Sequence, residues 1–80
     1  MKLFLYYKKG CPYCEKVFSY LEEFKLDIQL KDIDKNSEIR NELISTGGKA
    51  QVPSLIIDGK AMYESNDIIE WFSENINSLK

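Results

Sequence analysis

Cys11 and Cys14 are the only thiols in a chain of 80 residues. Two positions three apart in a helical turn share a face, within the reach that a disulfide tolerates. The pair can therefore close by giving up two electrons and two protons, and reopen by taking them back. Cys11-Pro12-Tyr13-Cys14 follows the apolar run Leu3-Phe4-Leu5-Tyr6-Tyr7 and opens a helical pattern. A C-x-x-C in that setting reads as a redox dithiol. Cys11 falls at the expected N-cap, facing unpaired backbone N–H groups and the positive end of the helix dipole, with Lys8 and Lys9 just upstream. Such surroundings favour thiolate over thiol, and the thiolate is the nucleophile. Cys11 is thus the expected attacking group. Cys14, one turn in and facing the core, is the expected resolving thiol. Two alternatives stand beside this reading. Buried cysteines can be plain small hydrophobes. A zinc site needs about four ligands, and two thiolates with no histidine supply half of them, so a metal would have to be shared between chains or completed by an outside thiol. No metal is expected.

The elements that must position these thiols follow from the apolar spacing. Residues 2–7 read as a buried strand. Pro12 suits a first helical position, and the helix runs to about Lys25 with Cys14, Val17, Phe18, Leu21 and Phe24 on one face. Ile28 and Leu30 alternate with Gln29 and Lys31, giving a second strand over 27–33. Capping side chains at 34–37 open a second helix with Ile39, Leu43 and Ile44, stopped by Gly47-Gly48. A third strand spans 52–57, Asp58-Gly59 signals a hairpin, and 60–63 return. Ser65 is the expected cap of a third helix with Ile68, Ile69, Phe72 and Ile76. The order βαβαββα, with a right-handed first crossover, predicts an α/β fold: a four-stranded mixed sheet flanked by three helices. Phe4, Leu5, Val17, Phe18, Leu21, Leu55, Ile57 and Phe72 are the expected core, and Trp71 is expected to be partly exposed packing.

Composition narrows the rest. Eighty residues with 44% hydrophobic content predict one domain over 1–80. A net charge of −2, with no basic stripe, argues against nucleic acid. No apolar run approaches the roughly 20 residues that span a bilayer. Met1-Lys2 leads straight into the first strand, so no signal peptide is expected. The expected setting is the reducing cytoplasm, where cysteine pairs are more often catalytic than structural.

With these residues in place, the chain resembles the glutaredoxins, a branch of the thioredoxin-like superfamily, over nearly all of its length. Cys11-Pro12-Tyr13-Cys14 matches the family's dithiol motif. Gln51-Val52-Pro53 falls where the family carries its cis-proline segment, and Tyr63-Glu64-Ser65-Asn66-Asp67-Ile68 where it binds the γ-glutamyl group of glutathione. Most glutaredoxins have a Gly-Gly pair just before that site. Tyr63-Glu64 stands here instead, and the Glu-Ser pair is similar to glutathione transferases and the glutaredoxins near them. Eighty residues leave no room for a transferase's helical second domain, so a glutaredoxin is expected.

The resemblance implies a thioredoxin-like fold, a cis peptide at Pro53, and glutathione as co-substrate with no tightly bound cofactor. It implies Lys8 for the glycyl carboxylate and Arg40 as a second partner. Gln51, Val52 and Pro53 would form a wall on which the backbone of Val52 pairs with an extended peptide. Ser65 and its helix start would hold the γ-glutamyl carboxylate, Glu64 the ammonium, and Tyr13 would flank the thiols. The implied activity is reduction of protein disulfides and protein–glutathione mixed disulfides, in electron transport and cell redox homeostasis. The partners would be disulfide-containing or glutathionylated proteins, and the chain a monomer off the membrane. Two rivals remain: a relative recycled by thioredoxin reductase, and an iron–sulfur carrier in which Cys11 and glutathione bridge a cluster between two chains.

Overall fold

A computed structural model describes residues 2–79. Its elements are β1 (Leu3–Tyr7), α1 (Pro12–Glu23), β2 (Gln29–Asp32), α2 (Ser37–Gly47), β3 (Ser54–Ile57), β4 (Lys60–Met62), α3 (Ser65–Glu74) and α4 (Ile76–Leu79). The sheet order is β2-β1-β3-β4. β1 pairs parallel with β2, in the register Leu5↔Leu30, and antiparallel with β3, in the register Leu5↔Leu55. β3 and β4 close the antiparallel hairpin. The expected mixed four-stranded sheet is therefore present, and its central strand leads directly to the cysteines.

Alternation along β1 divides the core. Leu5 and Leu55 face α1 and α3, where Val17, Leu21, Leu26, Ile68 and Phe72 complete one buried cluster. Tyr6 and Ile56 face the other way, toward α2, with Ile33 and Leu43. That second layer is thinner, since Leu43 is the one buried residue of α2. A polar tie supplements it. The Tyr6 hydroxyl donates to Glu42 Oε1 at 2.9 Å, and Lys31 Nζ donates to the same oxygen at 2.8 Å. Burial, then the bond to Glu42, holds the Tyr6 hydroxyl above its usual range, while Lys31 and Tyr6 hold the Glu42 carboxyl below its own.

Local signals explain most boundaries. Asn36 caps α2, its Oδ1 accepting the Ile39 amide at 2.9 Å, and the Gly48 amide closes the helix on the Ile44 carbonyl at 2.7 Å. Asp58 and Gly59 both take positive φ, 48° and 87°, the turn whose twist suits a two-residue hairpin.

Three expectations need correction. First, the described residues form four helices, not three. The chain leaves α3 at Asn75, whose side-chain Nδ2 donates to the Trp71 carbonyl at 2.8 Å. A side-chain amide that competes for a helix carbonyl favours termination, so Ile76 starts the short α4. Second, β2 is confined to 29–32 and Leu30 is 47% exposed. Leu30 points to the same face as its partner Leu5, but β2 is an edge strand, and little lies over it. Third, Ser65 is the first residue of α3, not its cap. Glu64 holds the extended cap position (φ −78°, ψ 131°) without a side-chain cap bond, and its carbonyl accepts the Ile68 amide at 2.9 Å.

Phe72 is fully buried between α3 and the sheet. Phe72→Ala is expected to cost about 3–5 kcal/mol. Leu30→Ala, at the half-covered edge, should change stability by no more than about 0.5 kcal/mol. Urea unfolding of the two variants measures the contrast.

Candidate active site

The site begins with how the chain enters α1. Gly10 has φ 80°, a left-handed conformation that turns the chain out of β1 and that glycine adopts without steric cost. Cys11 then takes the extended cap geometry (φ −90°, ψ 111°), and Pro12 follows as the first helical residue. The Cys14 amide donates to Cys11 Sγ at 3.2 Å. A cysteine sulfur thus does the capping that a serine or aspartate oxygen commonly does. Such a bond strengthens when the acceptor carries negative charge.

The two thiols are free and differ in their surroundings. Cys14 is fully enclosed and Cys11 is 6% exposed. Burial, followed by hydrogen bonding to Cys11, pushes the Cys14 thiol from 9.0 up to about 12, and the Lys8 amide offsets part of that rise. At neutral pH Cys14 is a protonated thiol beside the capping sulfur. The arrangement suits one sulfur to attack from the helix terminus and the other to stay in reserve.

A cleft of about 240 Å³ is lined by Tyr13, Gln51, Val52, Pro53, Tyr63, Glu64 and Ser65. Six of the residues singled out from sequence therefore come together, from three separate stretches of chain. Tyr13 brings the first turn of α1 to the cleft and is 66% exposed. Val52 and Pro53 contribute the loop between α2 and β3, and the peptide between them is cis, as the resemblance implied. Ser65, although not the cap, is buried at the N-terminus of α3, where helix amides and the dipole favour an anion. Lys16 of α1 hydrogen-bonds Asn66, fastening the two helix starts to each other.

Four expected site residues are not among those that line this cleft: the two cysteines, buried at the start of α1 beside Tyr13, and two exposed cations. Lys8 is exposed in the connection between β1 and α1, and Arg40 is exposed on α2. Tyr63, in contrast, lines the cleft and was not among the expected site residues. Among the described residues, no group of three or more His, Cys, Asp or Glu side chains is placed to hold a metal ion. No helix among them is long and apolar enough to cross a membrane.

Residues 5–78 match the family described as the N-terminal domain of glutathione S-transferase. Glutaredoxin 3 of Escherichia coli K12 is 31% identical over 64 residues, covering 80% of this chain and 77% of the relative. Glutaredoxin-1 of Saccharomyces cerevisiae is 30% identical over 76 residues, covering 86% of this chain and 69% of the relative. Glutathione transferase Omega 3C from Trametes versicolor has a similar structure, with a TM-score of 0.81 at 29% identity. It covers 100% of this chain, which spans 36% of the transferase. A buckwheat glutaredoxin in complex with glutathione shares the fold, with a TM-score of 0.73 at 23% identity, covering 96% of this chain and 74% of that one.

The Cys14 surroundings set a pH dependence. Its proton is held to about pH 12 in the fold, against 9.0 ordinarily. A raised pKa contributes stability that is whole below the unfolded value and is lost as pH rises through the folded one. The reduced protein is therefore expected to lose stability between about pH 9 and pH 12. Tyr6, also raised, adds to that loss. Cys14→Ala should flatten the dependence relative to wild type, as read by denaturant unfolding of both reduced proteins at several pH values across that window.

Proposed function

The chain belongs to the glutaredoxins, glutathione-linked thiol oxidoreductases, and from that premise we propose that it reduces protein disulfides and protein–glutathione mixed disulfides through Cys11 and Cys14. The observation that carries this reading is the capping sulfur: Cys11 Sγ accepts the Cys14 amide at the N-terminus of α1. Cys11 is the nucleophile. Its thiolate attacks the glutathione sulfur of a mixed disulfide, forms Cys11–S–S–glutathione, and releases the protein thiolate, which takes up a proton. A second glutathione thiolate then attacks the bound glutathione sulfur. That step yields glutathione disulfide and returns Cys11 as thiolate.

This route needs one protein thiol. The enclosed, protonated Cys14 is a poor nucleophile at neutral pH, because attack requires the thiolate. Its place is in the dithiol route, where a protein disulfide leaves Cys11 bonded to the substrate protein. Cys14 gives up its proton, attacks Cys11 Sγ, closes the Cys11–Cys14 disulfide and releases the substrate's second thiolate. Two glutathiones then reopen the pair.

Glutathione lies in the cleft in this reading. Val52 pairs with its backbone, flanked by Gln51 and Pro53. Ser65 and the amides of α3 hold the γ-glutamyl carboxylate, Glu64 meets the ammonium, and Tyr13 forms an apolar side. Lys8 and Arg40 reach the glycyl carboxylate from outside the cleft. A lone pair of cysteines is more often catalytic than structural in a reducing compartment, and we propose the cytoplasm.

Cys11→Ser is expected to abolish turnover, and Cys14→Ser to retain it on a small glutathione mixed disulfide. Equal loss in both variants would overturn the assigned roles. Ser65→Ala should raise the KM for glutathione by about ten- to a hundredfold, the range for losing a roughly 1.5–3 kcal/mol hydrogen bond to a charged group. Lys8→Ala, at an exposed position, should fall at or below the lower end of that range. A glutathione-coupled assay, run in parallel with thioredoxin reductase as reductant, measures both and separates the two recycling routes.

A further inference from the structure

Tyr63 sits between β4 and α3 and makes three contacts that the reaction itself does not require. Its ring lies against Gly47, the last residue of α2. A Cβ built on Gly47 would overlap the Tyr63 hydroxyl, approach Tyr63 Cζ at 2.8 Å and meet Ala61 Cβ at 3.0 Å. The Tyr63 hydroxyl donates to the Lys49 carbonyl at 3.2 Å. Lys49 Nζ stands 4.5 Å from the ring centroid, within range of a cation–π attraction. Gly47 is not among the glycines with positive φ. Alanine there is opposed by the Tyr63 ring rather than by the backbone.

These contacts join two walls of one cleft. The loop leaving α2 carries Lys49 and then Gln51, Val52 and Pro53. The turn leaving β4 carries Tyr63 and then Glu64 and Ser65. Tyr63 itself lines the cleft that both walls form. We infer that Tyr63 is a positioning residue for glutathione: by seating on Gly47 and bonding Lys49, it fixes the distance between the Val52 backbone and the helix start at Ser65. The inference rests on the reading of this cleft as the glutathione site. A peptide bound at both walls pays for any variation in their separation, since misplacing one contact forfeits the benefit of holding the other.

Gly47→Ala tests the clamp from outside the cleft, because the added methyl displaces the ring and changes no cleft residue. Glutathione KM is measured for wild type, Gly47→Ala, Tyr63→Ala, the double variant and Tyr63→Phe. Turnover with dithiothreitol and the thermal midpoint are followed in parallel. Gly47→Ala and Tyr63→Ala are each expected to raise KM about tenfold. The double variant should be no worse than the worse single one, since both remove the same contact. Tyr63→Phe keeps the ring but loses the hydroxyl that bonds Lys49 and stands nearest Gly47. It should raise KM by less than Tyr63→Ala, about threefold. A loss as large as that of Tyr63→Ala would assign the clamp to the hydroxyl bond rather than to the ring and overturn the role given to Gly47. Gly47→Ala should keep wild-type turnover with dithiothreitol. The inference is overturned by an unchanged KM in Gly47→Ala, by single effects that multiply in the double variant, or by equal loss with both reductants. A wild type that turns over with dithiothreitol but not with glutathione overturns the parent reading and this inference with it. Normal glutathione kinetics in wild type and variants alike overturn the clamp alone.

Discussion

The first turn of a helix leaves backbone amides that must find acceptors, and at α1 one of them finds a sulfur. That bond ties the reactive group to the secondary structure, so Cys11 cannot move without uncapping the helix. Everything else secures the geometry around it. β1 runs through the middle of the sheet and delivers the chain to Gly10 with strands on both sides. Val17 and Leu21 anchor α1 in the larger core cluster, against Leu5 and Leu55. The helix is fixed by packing at its middle, and its first turn is left free to do chemistry.

The same burial makes the two thiols unlike. Sharing a helical face three residues apart, they could have been equivalent partners. Depth separates them: the sulfur at the cap stands at the end of the helix, and the one a turn later is enclosed. The backbone amide of Cys14 bonds the capping sulfur, while its own thiol stays protonated and does not compete for the substrate. The division of labour comes from position along one helical turn rather than from any difference in side chain.

Most of the fold was legible because its boundaries depend on local chemistry. Asn36 capping α2, Pro12 opening α1 and Asp58-Gly59 turning the hairpin each act through the backbone beside them. Errors came where a neighbour decided. Leu30 has the alternation of a buried strand residue, but its exposure depends on what lies over the sheet edge. Ser65 has the chemistry of a cap, yet the extended Glu64 took that position. Asn75 ended α3 through a side-chain bond that apolar spacing does not register. At the site, the cysteines and the two walls were marked by motifs, whereas Tyr63, at the head of the γ-glutamyl stretch, was given no role by it. A signal was nonetheless present in Gly47-Gly48. Gly48 alone suffices to stop the helix, and a second glycine without need of a left-handed backbone marks a place where another group comes close.

The two faces of the sheet also differ in how firmly they are covered. α1 contributes three buried residues to its side, and α2 contributes Leu43 with the exposed half of a tyrosine–carboxylate–ammonium tie. Segments that bury little apolar surface open at the lowest free-energy cost. By that measure α2, with one buried residue, is expected to open at lower cost than α1, with three. The room for redesign is correspondingly lopsided, greatest on the exposed face of α2 away from Gly47 and least where β1 meets α1.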